Sequence, residues 1–249
     1  FFRWYGRSYS DVLRCVTHFF VQNEASRELL ARKGITNVTV AGDTRFDRVT
    51  DILEDHTDLP VVESFSRGAF TLFVGSSWQP DEDFIIPYFN KHPEMKMVLA
   101  PHEISEDRIS GILTGLKRPA VRYTKTTPEE AAEADCLIID CYGILSKSYR
   151  FATVAYVGGG FGVGIHNINE AAVYGIPVVF GPKYGKFKEA RDLIALEGAF
   201  TVSGGDEYAL VMNRLLSDGE YLKKHGEIAG GYIRDNLGAT RRIYDAIFK

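Results

Sequence analysis

The stretch Val154–Pro182, VAYVGGGFGVGIHNINEAAVYGIPVVFGP, constrains the fold more than any other part of the chain. It opens with an apolar run, Val154–Val157, that reads as a buried parallel strand. Five glycines follow within seven residues: Gly158, Gly159, Gly160, Gly162 and Gly164. A polar helix entry (His166, Asn167, Ile168, Asn169, Glu170) then leads into a small-residue helix stopped by Gly175, and Pro177–Phe180 reads as a second strand. Strand, glycine loop, helix and strand make a βαβ unit. Glycines after a strand let the backbone approach a ligand closely, and the following helix N-terminus favours an anion. A phosphate-bearing ligand is therefore expected here. The loop is neither a Walker loop nor a Gly-x-Gly-x-x-Gly opening the first unit of a domain. Asn167 and Glu170, three apart, share a helix face. As N-cap and N3 they also approximate a capping box, which leaves a purely structural reading open.

The unit belongs to a longer alternation that begins at Ala69. Strands are expected at Phe70–Val74, Met97–Ala100, Val121–Tyr123, Leu137–Ile139, Val154–Val157, Val178–Phe180 and Phe200–Val202. Helices fall between them, at Asp81–Asn90, Glu106–Leu116, Pro128–Glu133, Ile144–Phe151, Asn167–Tyr174 and Phe187–Leu196. Such a pattern predicts a parallel sheet wound on both sides, with ligands at the carboxyl ends of the strands. Ser76-Ser77, Pro101-His102-Glu103, Asp140–Leu145, Gly158–Glu170 and Pro182–Glu189 all fall at those ends. Ahead of the alternation, Ser8–Arg14 and Arg27–Lys33 read as helices, and His18–Val21 and Val38–Ala41 as strands. Asp51–Ser66 reads as helix and linker broken by Pro60. Behind it, Asp206–Lys249 reads as helical with an apolar stripe, broken at Gly230-Gly231 and Gly238.

Composition narrows the function classes. With 249 residues the chain is long enough for one large domain or two small ones. A net charge of −4 argues against general nucleic-acid binding, which calls for a basic face. Cys15, Cys136 and Cys141 lack C-x-x-C spacing and read as reduced structural thiols in apolar surroundings, as in a cytoplasmic protein. No run of 18 apolar residues is present to span a bilayer.

Four segments in order carry a family resemblance. They are FVQNEASRELLARKGITNVTVAGDTRFDRV (Phe20–Val49), GSSWQPDED (Gly75–Asp83), DCYGIL (Asp140–Leu145) and the glycine loop with HNINEAA, GIPVVFGP and FKEA. Together they resemble the 3-deoxy-D-manno-octulosonic acid (Kdo) transferases, glycosyltransferases of the two-domain GT-B fold. The resemblance implies an α/β protein of GT-B type. Its parts would be a Rossmann-like doubly wound parallel sheet and the tail end of a second α/β domain. Residues 1–48 would then end an N-terminal, acceptor-side domain and begin the crossing, with 49–68 as a linker helix. Residues 69–217 would bind the donor, and 218–249 would form helices that cross back to the first domain or pack on their own sheet.

The same resemblance implies transfer of Kdo from CMP-Kdo to a lipid A precursor at the cytoplasmic face of the bacterial inner membrane, with no cofactor and no metal. Membrane association and the general base would belong to the family's N-terminal part, so no catalytic residue is expected here, and the chain alone should bind donor weakly without turning it over. Glu170 is expected at a ribose hydroxyl, and Gly143, Ile144 and Leu145, beside Tyr142, offer N–H groups to phosphate. Gly159 and Gly160 would pack closely against the donor, with His166 and Asn167 at the helix entry. Ser76 and Ser77 reach phosphate or sugar, or cap the helix before Asp81. Pro101 and His102 lie where a base or phosphate would sit. Of Lys183, Lys186 and Lys188, Lys186 stands where the family has a polar residue, although solvation is the default for such a cluster. The family commonly has Glu-Pro at Glu170-Ala171 and a longer glycine loop. Two other classes stay open: a UDP-sugar 2-epimerase-like enzyme of the same architecture, and a non-catalytic nucleotide-binding domain.

Overall fold

The computed structural model describes residues 11–249; Phe1–Tyr5 and the first residues of the helix expected from Ser8 lie outside them. What is described of that helix is a 3₁₀ turn, Asp11–Cys15. The chain divides into two compact units, one made by residues up to Asp51 together with Arg234–Lys249, the other by Ile52–Ile233.

The larger unit carries a seven-stranded sheet, all of it parallel. Its strands are β3 (Phe70–Ser77), β4 (Met95–Pro101), β5 (Ala120–Arg122), β6 (Cys136–Ile138), β7 (Val154–Val157), β8 (Val178–Phe180) and β9 (Ala199–Thr201), in the spatial order β5-β6-β4-β3-β7-β8-β9. The expected strands are all there, within a few residues at their ends. Central strands are buried on both faces, which is why Leu72, Phe73, Val74, Met97, Val98 and Leu99 read as continuous apolar runs rather than as alternation. β3 pairs with β4 on one side and with β7 on the other. Chain order runs outward from β3 through β4, then jumps back across it to β7. The strand order reverses there, and loops leaving the two strands diverge to open a crevice. A register shift between Gly75 and Ser77 bends β3 just where it enters that crevice.

Helices cover the sheet: α3 (Pro60–Ser66), α4 (Gln79–Phe89), α5 (Glu106–Gly115), α6 (Pro128–Glu133), α7 (Leu145–Ser148), α8 (Asn169–Ala172), α9 (Lys188–Ala195), α10 (Gly205–Ser217) and α11 (Gly219–Asp235). Three expectations need correction. Pro60 does not break a helix but opens α3 at its first turn, where a missing N–H costs nothing. Gly230-Gly231 do not interrupt α11. Helix α11 packs so closely that a Cβ on Gly226 would lie 2.3 Å from the Gly175 carbonyl, and this packing overrides glycine's poor helix propensity. Cys15 is exposed rather than set in apolar surroundings, whereas Cys136 is buried and Cys141 half-buried; among the described residues none of the three is in a disulfide.

The smaller unit pairs β1 (Phe19–Val21) with β2 (Val38–Val40) in parallel, around α1 (Glu24–Ala31). Asn23 caps α1 by accepting from the Ser26 N–H at 2.9 Å. The GDTRFD segment, Gly42–Asp47, is a fastening. Asp43 pairs with Arg45, and Asp47, in α2 (Thr44–Glu54), accepts from the Gly238 and Thr240 N–H groups at 2.6 Å each. That carboxylate supplies the cap for α12 (Ala239–Phe248), whose own N-cap, Gly238, has no side chain to offer. Arg242 completes the join by donating to the Ala41 carbonyl at 2.8 Å.

Candidate functional site

At the carboxyl ends of β3, β4, β6 and β7 the loops enclose a cleft of about 310 Å³. Ser76, Ala100, Pro101, His102, Ile139, Cys141, Tyr142, Gly143, Leu145 and His166 line it. Seven of the fourteen residues expected at the site are thus brought to one cavity: Ser76, Pro101, His102, Tyr142, Gly143, Leu145 and His166. Its volume is at the lower end of the small-molecule range, and its apolar walls with a few polar groups are what a heteroaromatic ring would need.

The polar groups are tied together. The Trp78 indole N–H donates to His166 Nε2 at 3.4 Å. His102 stacks on both rings, with centroids 4.5 Å from Trp78 and 4.8 Å from His166. Burial first, and the neighbouring His102 second, hold the His166 imidazole below its ordinary pKa, so it is neutral at pH 7. A hydrogen bond accepted at Nε2 places its proton on Nδ1. Ser76 has a positive φ of 53°, a strained setting for a residue with a side chain, and it occurs where β3 bends into the crevice.

Beneath the cleft lies a residue that the sequence reading took only as a helix start. Asp81, fully buried, accepts from the Trp78 N–H at 2.9 Å, the Gly159 N–H at 3.1 Å and the Tyr156 hydroxyl at 2.7 Å. One carboxylate thereby joins the loop after β3 to the loop after β7. The signal for this role, a carboxylate just after a strand-to-helix turn, is indistinguishable from an ordinary cap in sequence.

The glycines answer to this close approach of loops. A Cβ on Gly158 would sit 2.5 Å from the Ser76 carbonyl, and one on Gly160 would sit 2.5 Å from Gly181 Cα. Gly159 adopts φ +91° and spends its N–H on Asp81. Gly159 and Gly160 therefore admit neighbouring backbone, where the sequence reading had them admitting the donor.

The remaining expected residues are placed as follows. Ser77 is buried, and its hydroxyl donates to Glu82 at 2.7 Å, with Glu82 paired to Arg108 at 2.5 Å; it braces the loop and neither contacts the cleft nor caps α4. Ile144 is the N-cap of α7, its carbonyl accepting from Ser148. Asn167 is exposed and not the N-cap, because α8 starts two residues later; its Nδ2 donates to Glu170 at 3.0 Å and its Oδ1 accepts from the Asn169 N–H. Glu170, half-buried, stands in the first turn of α8, and Lys186 is exposed on the loop after β8. Helices α7 and α8 are one turn each, so little dipole is available to an anion from either. Asp140, from the DCYGIL turn, also faces inward. It binds Arg122 at 2.8 Å, and the Thr124 hydroxyl and N–H at 2.6 and 2.9 Å. Burial alone would raise its carboxyl, but the bonds from Thr124 and Arg122 outweigh that and hold it below the usual range. Among the described residues no cluster of three or more His, Cys, Asp or Glu could hold a metal ion, and no helix is long and apolar enough to cross a membrane.

No family model matches the sequence. Individual proteins do. The 3-deoxy-D-manno-octulosonic acid transferase of Aquifex aeolicus is 30% identical over 176 residues, 67% of this chain and 48% of that protein. The enzyme of the same name from Bordetella pertussis is 26% identical, covering 98% of this chain and 59% of the relative. The chain spans about half the length of the curated relatives it matches. Among solved structures, the C-terminal CMP-Kdo binding domain of WaaA from Acinetobacter baumannii superposes with a TM-score of 0.61 at 20% identity, covering 77% of this chain and 99% of that one. The S. aureus MnaA–UDP structure reaches the same TM-score at 14% identity, over 92% of this chain and 56% of its own. At such identities these neighbours establish the GT-B type of fold.

Proposed function

We propose that this chain, which belongs to the 3-deoxy-D-manno-octulosonic acid (Kdo) transferase family, holds the sugar nucleotide CMP-Kdo in the cleft where β3 and β7 part. The observation that carries the reading is convergence. Loops from four strands, separated by up to 90 residues, meet at the reversal of strand order in a single cleft, and those after β3, β6 and β7 belong to segments that resemble the family. The pyrimidine ring enters between Pro101 and the stacked His102, and Glu170 meets the ribose. The whole reaction, in this reading, moves Kdo to a lipid A precursor at the cytoplasmic face of the inner membrane. That part rests on the family relation, and we assign the acceptor-activating base to no residue of this chain.

The fold by itself is equally close to a UDP-bound protein, since both structural neighbours reach a TM-score of 0.61. Sequence relation favours the cytidylate. Calorimetric titration with CMP, UMP and UDP, repeated on Glu170→Ala, separates the two. Selective CMP binding weakened about tenfold by the substitution is expected, a loss of about 1.4 kcal/mol. A preference for UDP would replace the transferase reading by the epimerase-like one.

A further inference from the structure

Strand β9 ends the sheet, with β8 beside it and no strand of the sheet beyond. Against it lies a second cavity, of about 270 Å³, that shares no lining residue with the cleft. Helix α9 contributes Ile194 to its lining, β9 contributes Ala199, Phe200 and Thr201, and α11 contributes Tyr221 and His225. Three of these side chains form a ring cluster. The His225 ring centroid is 3.9 Å from that of Tyr221 and 5.1 Å from that of Phe200. Two polar atoms of the lining residues are buried and have no hydrogen-bond partner among the described residues, His225 Nε2 and Thr201 Oγ1. His225 is only 2% exposed, and its Nδ1 donates to the carbonyl of Glu197, a residue held at a left-handed φ of +65°. A carbonyl can only accept, so Nδ1 carries the hydrogen. In the uncharged ring Nε2 is then left with a lone pair and no donor to meet it. Buried polar groups are nearly always bonded, and two exceptions in the lining of one cavity point to an occupant that would bond them.

We propose that this cavity is a second small-molecule site, for an uncharged planar heteroaromatic compound that carries an N–H donor next to a ring acceptor. The N–H donates to His225 Nε2, the Thr201 hydroxyl donates to the ring acceptor, and the ring packs on Phe200 and Tyr221. Thr201 and Tyr221 are half-buried, so rotamer changes at these two side chains open the buried atoms to the occupant. A phosphate finds no counter-charge here. The lining holds one acid, Glu197, and no lysine or arginine, and the nearby Lys224 is paired to Glu197 at 3.5 Å. The site stands independently of the reading of the cleft.

The test is an NMR titration of the 249-residue chain at pH 8 that follows the His225 ring nitrogens. The probes are 2-aminopyridine and 2-methylpyridine, in which a methyl group replaces the amino donor. We expect saturable binding of 2-aminopyridine that moves the Nε2 signal, and binding of 2-methylpyridine about tenfold weaker. Excess CMP should change neither. Equal affinities for the two probes would overturn the proposal, as would no binding of either. Binding that leaves the Nε2 signal in place, or that CMP displaces, would put the compound elsewhere and overturn it too. Two variants supply a second arm. Thr201→Val should weaken 2-aminopyridine about threefold, while Thr201→Ser, which keeps the hydroxyl, should bind it like the unaltered chain. An unchanged affinity in Thr201→Val, or an equal loss in both variants, would remove the Thr201 contact and sink the two-point site.

Discussion

Asp81 and Asn169 are both buried polar side chains of the larger unit, and the protein treats them in opposite ways. Three donors, from Trp78, Tyr156 and Gly159, bond the Asp81 carboxylate. The Asn169 side-chain amide, as well buried, has neither atom bonded among the described residues. A buried carboxylate that gathers three donors holds loops in register, whereas an unbonded buried amide lowers stability and fastens nothing. Dense bonding around Asp81 marks scaffold.

The most direct way to break this contrast is Asp81→Ala. It strands the Trp78 and Gly159 N–H groups and the Tyr156 hydroxyl, and should cost about 3 kcal/mol in urea unfolding while abolishing CMP binding. An unchanged unfolding midpoint would make Asp81 something other than scaffold. A smaller effect should come from pH. The Asp140 carboxyl is depressed in the fold, so its contribution is present above its unfolded value of about 3.9 and is lost as pH falls through the folded value. Urea midpoints of the unaltered chain should therefore drop more steeply on acidification below pH 4 than those of Asp140→Asn; parallel curves would remove Asp140 from the scaffold group. Smallest is the effect expected of Asn169→Leu. Replacing an unbonded buried amide by an apolar group of similar size should raise stability by about 1 kcal/mol. A loss of that size in calorimetric unfolding would mean that the amide is already satisfied.

The scaffold was far more legible in the sequence than this division of labour. Runs such as Leu72–Val74 and Val178–Phe180, flanked by glycine and proline, announce buried parallel strands by local composition alone, and the GT-B architecture follows from their order. Gly158 and Gly160 were equally visible, but local sequence cannot say whether the close neighbour is ligand or backbone; here it is the backbone of Ser76 and Gly181. Asp81 stayed hidden because its meaning depends on Gly159, 78 residues away. His102 and His166 were found singly, and the indole of Trp78 that joins them was read only as part of a matching loop.

The cap that Asp47 places on α12 also bears on the order of folding. The contact closes a loop of some 190 residues, and a loop of that length forms slowly however favourable its hydrogen bonds are. A ribosome makes β1, β2 and Asp47 before the seven-stranded unit, and α12 only after it. The Asp47 cap on α12 can therefore close only once the larger unit has been made.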